Sequence, residues 1–196
     1  DLERLVEGAR RRNPLDGALT EIGQYRDGIG GVSGIGGASD LVLSDDQRFV
    51  YVAGSTSDAI AVFARNADSG LLTYVRKYQD GSAGIDGLGG VRALLLSPGG
   101  AFLYAAGTID DAIAVFSVNA STGLLTPASV LRQSDPGLDG LNGVVDLAWG
   151  NNGSHLLAVA PANQSLAAFA RNAGTGALTP AGLLQDFQVP TAGGVL

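Results

Sequence analysis

The 196-residue chain holds 30 Gly, is 45% apolar and only 16% charged, too apolar for a disordered chain and suited to tight turns between buried strands. Its net charge of −7 argues against nucleic acid, whose partners present a basic face, and against anionic lipid. It has no cysteine, which excludes disulfides, thiol catalysis and Cys-based metal sites. No apolar run approaches the ~18 residues that span a bilayer, so no membrane insertion is expected. Residues 1–12 lack the shape of a signal peptide. With no Met, the chain reads as a processed product or a piece of something longer.

The chain repeats every 53 residues. Asp58-Ala-Ile-Ala-Val-Phe63 returns as Asp111-Ala-Ile-Ala-Val-Phe116, and more weakly as Gln164-Ser-Leu-Ala-Ala-Phe169. A period near 50 made of short strands marks a β-propeller blade. The expected fold is all-β: blades of four antiparallel strands, forming one propeller segment over residues 1–196. Residues 1–37 are a partial blade and linker, 38–90 a blade, 91–143 a blade, and 144–196 a blade with the start of the next linker.

In residues 1–37, the repeat phase puts 5–9 on a third strand. Leu2, Leu5, Val6 and Ala9 also have helical spacing, and the strand reading is preferred because the phase continues into Asn13 and Gly17. The unit 38–90 opens with Asp40-Leu-Val-Leu-Ser44, apolar on both faces and so an inner strand. Phe49–Gly54 and Ala59–Phe63 follow, with β-branched and aromatic residues suited to strands. Leu71–Lys77 is more polar, as an outer edge strand should be. The unit 91–143 repeats this order with Ala93–Ser97, Phe102–Gly107 and Asp111–Phe116. The third unit starts at Asp146-Leu-Ala-Trp-Gly150.

Asn13, Asn66, Asn119 and Asn172 each lie four residues before a Gly: Gly17, Gly70, Gly123 and Gly176. Asn bonds the backbone two residues on and Gly supplies positive φ, so these are hairpin turns. Gly-rich linkers, Asp27 to Gly37, Asp80 to Gly90 and Asp135 to Gly143, return each outer strand to the next inner strand.

Ser97-Pro-Gly-Gly-Ala-Phe-Leu-Tyr104, Asp111–Phe116 and Thr122-Gly-Leu-Leu-Thr126 together resemble a blade of the lactonase-like seven-bladed propellers. That family includes 6-phosphogluconolactonase-type proteins and YVTN-type surface-layer repeats. The resemblance runs from about Gly17 onward and implies membership of a seven-bladed ring. It also implies lactone hydrolysis as one function, but no family catalytic motif matches a position here.

Chemistry-bearing residues are sparse. The single histidine, His155, holds the place of Phe49 and Phe102 and reads as structural. Acidic residues recur in the linkers: Asp27, Asp80 and Asp186 in one phase, Asp86 and Asp139 in another, Asp40 and Asp146 in a third. Such carboxylates at one channel mouth suit Ca²⁺, the one metal worth weighing, although Asp is common in Gly-rich turns without metal. Gly34-Ile-Gly-Gly-Ala-Ser39 fails the dinucleotide fingerprint. Asn119, Asn152 and Asn163 fit the glycosylation pattern. No catalytic or cofactor-binding residue is assigned. Arg92 and the Asp residues are the groups available to an enzyme.

Two functions follow. Near-identical blades favour a noncatalytic structural or binding module of a larger surface or secreted protein, extracellular or periplasmic, with a protein or glycan ligand. The alternative is a lactone hydrolase. In either case the end blades should meet the remaining blades or a second copy, since an open apolar face invites association.

Overall fold

The computed structural model describes residues 7–185, with side chains from Arg12 onward. The described residues form four antiparallel sheets in chain order. The first has two strands, β1 (Glu7–Arg12) and β2 (Leu19–Tyr25). The first full blade is β3 (Ala38–Leu43), β4 (Phe49–Gly54), β5 (Ala59–Arg65) and β6 (Leu72–Gln79). The second is β7 (Val91–Leu96), β8 (Phe102–Gly107), β9 (Ala112–Val118) and β10 (Leu125–Arg132). The third is β11 (Asp146–Gly150), β12 (His155–Ala160), β13 (Ser165–Arg171) and β14 (Leu178–Gln185). The only helical pieces described are single 3₁₀ turns at Asn151–Gly153 and Pro161–Asn163, in the turns of the third blade. The strand expected near residues 5–9 begins at Glu7, and residues 5 and 6 lie outside the described part.

Alternate residues of each sheet pack on alternate neighbours. Tyr51, Ala53, Ile60 and Val62 face the second blade and meet Leu94, Leu103, Ala105 and Phe116. Val50, Val52, Ala61 and Phe63 face the other way, against Val32, Ile35 and Tyr25. The second blade repeats this toward the third, where Tyr104, Ile113 and Val115 meet Leu147, Leu156 and Phe169. β4 and β8 are buried along their whole length, and in β5 and β9 small Ala alternates with larger Ile and Val. Each fully buried Leu, Ile or Phe contributes roughly 1.5–3 kcal/mol.

Two residues of the expected inner strand are exposed, Leu41 and Leu43. Leu41, read as packed on both sides, is 53% exposed. Its face points toward β1–β2, whose two strands cover only the outer part of the first blade.

The hairpin glycines Gly17, Gly70, Gly123 and Gly176 have φ of 74°, 76°, 70° and 73°. In each turn the Asn Oδ1 accepts from nearby backbone, as Asn66 does from Asp68 and Ser69. Two of the glycines have a further role: Phe49 lies against Gly123 of the next blade, and Phe102 against Gly176.

Tyrosines tie the outer strands together. Tyr25 Oη accepts from Leu72 N at 2.6 Å and Tyr78 Oη accepts from Leu125 N at 2.7 Å. All four sheets share one β-bulge between strands three and four, which opens after Glu21, Tyr74, Pro127 and Pro180.

Candidate functional site: the loop end of the inner strands

Linkers and strand two-to-three turns share one end of the molecule, because they bond to each other. Ser57 Oγ accepts from Gly36 N at 3.0 Å, and Asp110 Oδ2 from Gly89 N at 2.7 Å. Most of the sequence-predicted acidic residues converge here.

Their first task is to hold the backbone. Asp27 Oδ1 accepts from Gly34 N and Ile35 N at 2.6 and 3.0 Å. One period later Asp80 Oδ1 accepts from Leu88 N at 2.9 Å, and Gln133 Oε1 from Leu141 N at 2.6 Å. A linker with many glycines carries many unpaired N–H groups, and one acceptor per loop fixes its path. Asp40 Oδ2 reaches the next inner strand at Leu94 N, 2.7 Å away. Asp146, among the described residues, accepts only from Leu147 N beside it. Asp186 lies outside the described residues.

Asp58 and Asp111 tie consecutive blades. Asp58 Oδ1 accepts from Gly90 N at 2.7 Å, and Asp111 Oδ1 from Gly143 N at 2.6 Å. Both sit at positive φ, 46° and 50°, a conformation that Asp tolerates better than most residues. These ties, with Asp110 and Gln133, were not among the candidates read from the sequence. The signal was present: Asp58 and Asp111 open the strictest hexapeptide of the repeat.

Three carboxylates gather around one linker. Ligand oxygens of Asp80, Asp86 and Asp110 lie within 4.8 Å of one another. Asp86 also pairs with Arg132 at 2.5 Å, which neutralises part of the group. Burial raises the Asp80 pKa, its bond from Leu88 N opposes this, and the charges of Asp110, Asp86 and Asp58 add to it. Asp139 goes the other way, held below the usual range chiefly by the bond from Gln133.

Arg92 stands apart from these ties. β7 and β8 pair Val91 with Gly107 and Ala93 with Ala106, leaving Arg92 as the extra residue of a bulge. The side chain is exposed and takes part in neither ion pair among the described residues. A bulge re-aims a side chain at the rim of a sheet. The same bulge holds Ser39 in the first blade.

The other candidates make local contacts within the scaffold. The His155 ring contacts Ser154 Oγ at 2.9 Å on the outward face of the third blade, beside the β11–β12 turn and at the opposite end of the strands from the linkers. Gly34–Ser39 is linker and strand start with no helix. Asn119 accepts from Ser121 and Thr122 within its hairpin, Asn152 sits at φ 53° in a turn, and Asn163 donates to Asp139 at 3.0 Å.

These features define a propeller segment with its polar groups at the loop end of the blades. The family model for the seven-bladed β-propeller lactonases matches residues 2–137, and the chain belongs to that family. The periplasmic gluconolactonase of Pseudomonas aeruginosa is 24% identical, with a TM-score of 0.66 over 79% of this chain and 41% of its own. A protein from Lactobacillus plantarum is also 24% identical, with a TM-score of 0.70, covering 85% and 46%. A candidate 6-phosphogluconolactonase from Bacteroides fragilis is 22% identical, with a TM-score of 0.70, covering 90% and 48%. The chain therefore spans less than half the length of these structures, which share its fold. No curated protein matches the sequence. Among the described residues, no helix is long and apolar enough to cross a membrane.

Proposed function

We propose that the protein is a lactone hydrolase acting on the cyclic ester of a sugar acid, with its site at the loop end of the blades. The observation that carries this reading is the family match over residues 2–137. Hydrolysis adds water to the ester carbonyl, breaks the ring C–O bond and leaves a carboxylate and a hydroxyl. Asp80 suits the base that takes the proton of water, since its raised pKa makes it a stronger base than an ordinary carboxylate. Arg92 suits the role of donor to the carbonyl oxygen, where negative charge develops. Like the Pseudomonas protein, this one would work in the periplasm or outside the cell.

The test is acid release in a pH-stat from gluconolactone and from 6-phosphogluconolactone, by the protein and by Arg92→Ala and Asp80→Asn. The expected result is hydrolysis above background by the wild type and a loss of about tenfold or more in kcat/KM for each variant. Hydrolysis at the background rate on both lactones overturns the reading.

A second reading is a noncatalytic module of a surface or secreted protein, binding a protein or glycan. Asp27, Asp40, Asp58, Asp80, Asp110 and Asp111 each accept a backbone hydrogen bond, and groups holding the scaffold favour that reading. Background hydrolysis with full structural integrity is its expected result.

A further inference from the structure

We propose that the edge of β6 is a docking site for an extended peptide of a partner protein. The peptide would add as a fifth strand in the groove between β6 and β2 and carry an acidic side chain toward Arg26.

The argument starts from the ladder. At the hairpin end, Asn66 N donates to Leu71 O, so the next pair, Arg65–Leu72, is not hydrogen-bonded. Leu72 N accordingly turns outward and donates to Tyr25 Oη. Tyr74 lies two residues on, before the bulge, opposite Phe63. By strand alternation its N–H points the same way as that of Leu72. The other blades confirm the direction. Pro127 and Pro180 occupy this register opposite Phe116 and Phe169, and a proline fits only where the ladder needs no N–H.

Proline blunts the second and third blades against strand addition. The first blade has Tyr74 instead and keeps its donor. A cavity of about 590 Å³ lies beside it, lined by Leu72, Thr73 and Tyr74 of β6, Tyr25 and Arg26 at the end of β2, and Val32 of the linker. The Tyr25 and Tyr74 rings line it and pack edge to face on the buried Phe63 ring at 5.8 and 5.6 Å, making an apolar wall. Arg26 is exposed, and the one hydrogen bond its side chain makes among the described residues is a long one of 3.4 Å to Gln24. A free edge donor, an apolar wall and an unneutralised cation are the elements of recognition by strand addition.

The probe is Thr-Val-Thr-Val-Thr-Val-Glu, carrying fluorescein on its N-terminal amine and amidated at its C-terminus, followed by fluorescence anisotropy against the whole protein. Tyr74→Pro removes the N–H by copying the second and third blades, so it should fold. Tyr74→Ala removes the ring and keeps the N–H. The expected result is saturable binding by the wild type, lost about tenfold or more in Tyr74→Pro and retained within about threefold in Tyr74→Ala. No saturable binding up to about 1 mM overturns the proposal. Equal binding by Tyr74→Pro and the wild type also overturns it, as does an equal loss in the two variants.

Discussion

Gly123 tests how the blades are locked together. Its φ is 70°, and a Cβ built there would come within 2.5 Å of Phe49 Cγ in the preceding blade. Gly123→Ala therefore meets two penalties. Left-handed strain on an L-residue costs about 1 kcal/mol. Pushing a buried ring aside costs about 1–3 kcal/mol more, since Phe49 is 8% exposed and packed among Tyr51 and Leu125. The total is about 2–4 kcal/mol. Gly70→Ala is the internal comparison. Gly70 has φ 76° in the same turn, but a Cβ there meets only Ile22 Cδ1 at 3.1 Å, the far end of a flexible side chain. It should lose about 1 kcal/mol. Urea denaturation of both variants gives the difference from the midpoints at constant slope. Repeating Gly123→Ala in a Phe49→Leu background should shrink its penalty, because the cycle isolates the ring contact. Equal destabilisation at Gly70 and Gly123, or full additivity with Phe49→Leu, would refute the interlock.

Asp111→Ala removes the tie to Gly143 N and should cost about 1.5–3 kcal/mol by chemical denaturation, while Asp111→Asn keeps an acceptor and the backbone tolerance and should lose less than half of that. Tyr78→Phe leaves Leu125 N without its partner and should cost about 1–3 kcal/mol in the same assay. Asp80 has a folded pKa raised above 3.8 by burial, so its stabilising contribution is complete below 3.8 and fades as pH rises through the folded value. Asp80→Asn should flatten that part of a stability–pH curve. Asp46 is lowered to about 2, first by Ser44 and then by Arg48, so its contribution holds above 3.8 and is lost as pH falls toward 2. Asp46→Asn should remove only that acid-side loss. Val159 and Leu166 are 42% and 39% exposed on the outward face of the third blade. They form an apolar face that a second copy can cover, so Val159→Lys with Leu166→Lys should lower self-association in analytical ultracentrifugation; unchanged association would refute this.

The architecture was legible because a blade is built from local rules. Apolar runs at one period placed the strands, and Asn66-to-Gly70 spacing placed the hairpins within a residue. What lay between blades was harder to read. Gly123 looks like a turn residue, and nothing in its neighbourhood says that Phe49, 74 residues earlier, lies against it. Leu41 reads as core from its own strand, but its burial depends on what the adjacent sheet covers. Asp80 and Asp58 are both acids of the loop end, yet one holds its own linker and the other, in a strand two-to-three turn, crosses 32 residues to Gly90. Burial and reach are properties of the stacked sheets, and a repeat shows the unit better than the stacking.

Two of the candidate residues, Arg92 and Tyr74, come from positions where the repeat fails, while Asp80 repeats Asp27. An element copied from blade to blade answers a demand every blade shares, such as a bulge, a hairpin or a pinned linker. Tyr78 becomes Leu131 and gives up a backbone bond. Pro127 and Pro180 are matched by Tyr74, which leaves the outer edge of the first full blade open. Arg92 replaces the small Ser39 of the first blade and the apolar Val145 of the third, at a bulge that needs no charge. A scaffold gains nothing from a solvated guanidinium at that point, since an exposed and unpaired cation adds little stability. A single charge at the loop end, present in one blade and absent from its copies, is the kind of asymmetry a binding or catalytic site requires and a purely structural array does not. If Arg92→Ala leaves both folding stability and every measured activity unchanged, Arg92 has no part in the loop-end chemistry, and the asymmetry that marks function must be sought at the open edge of β6.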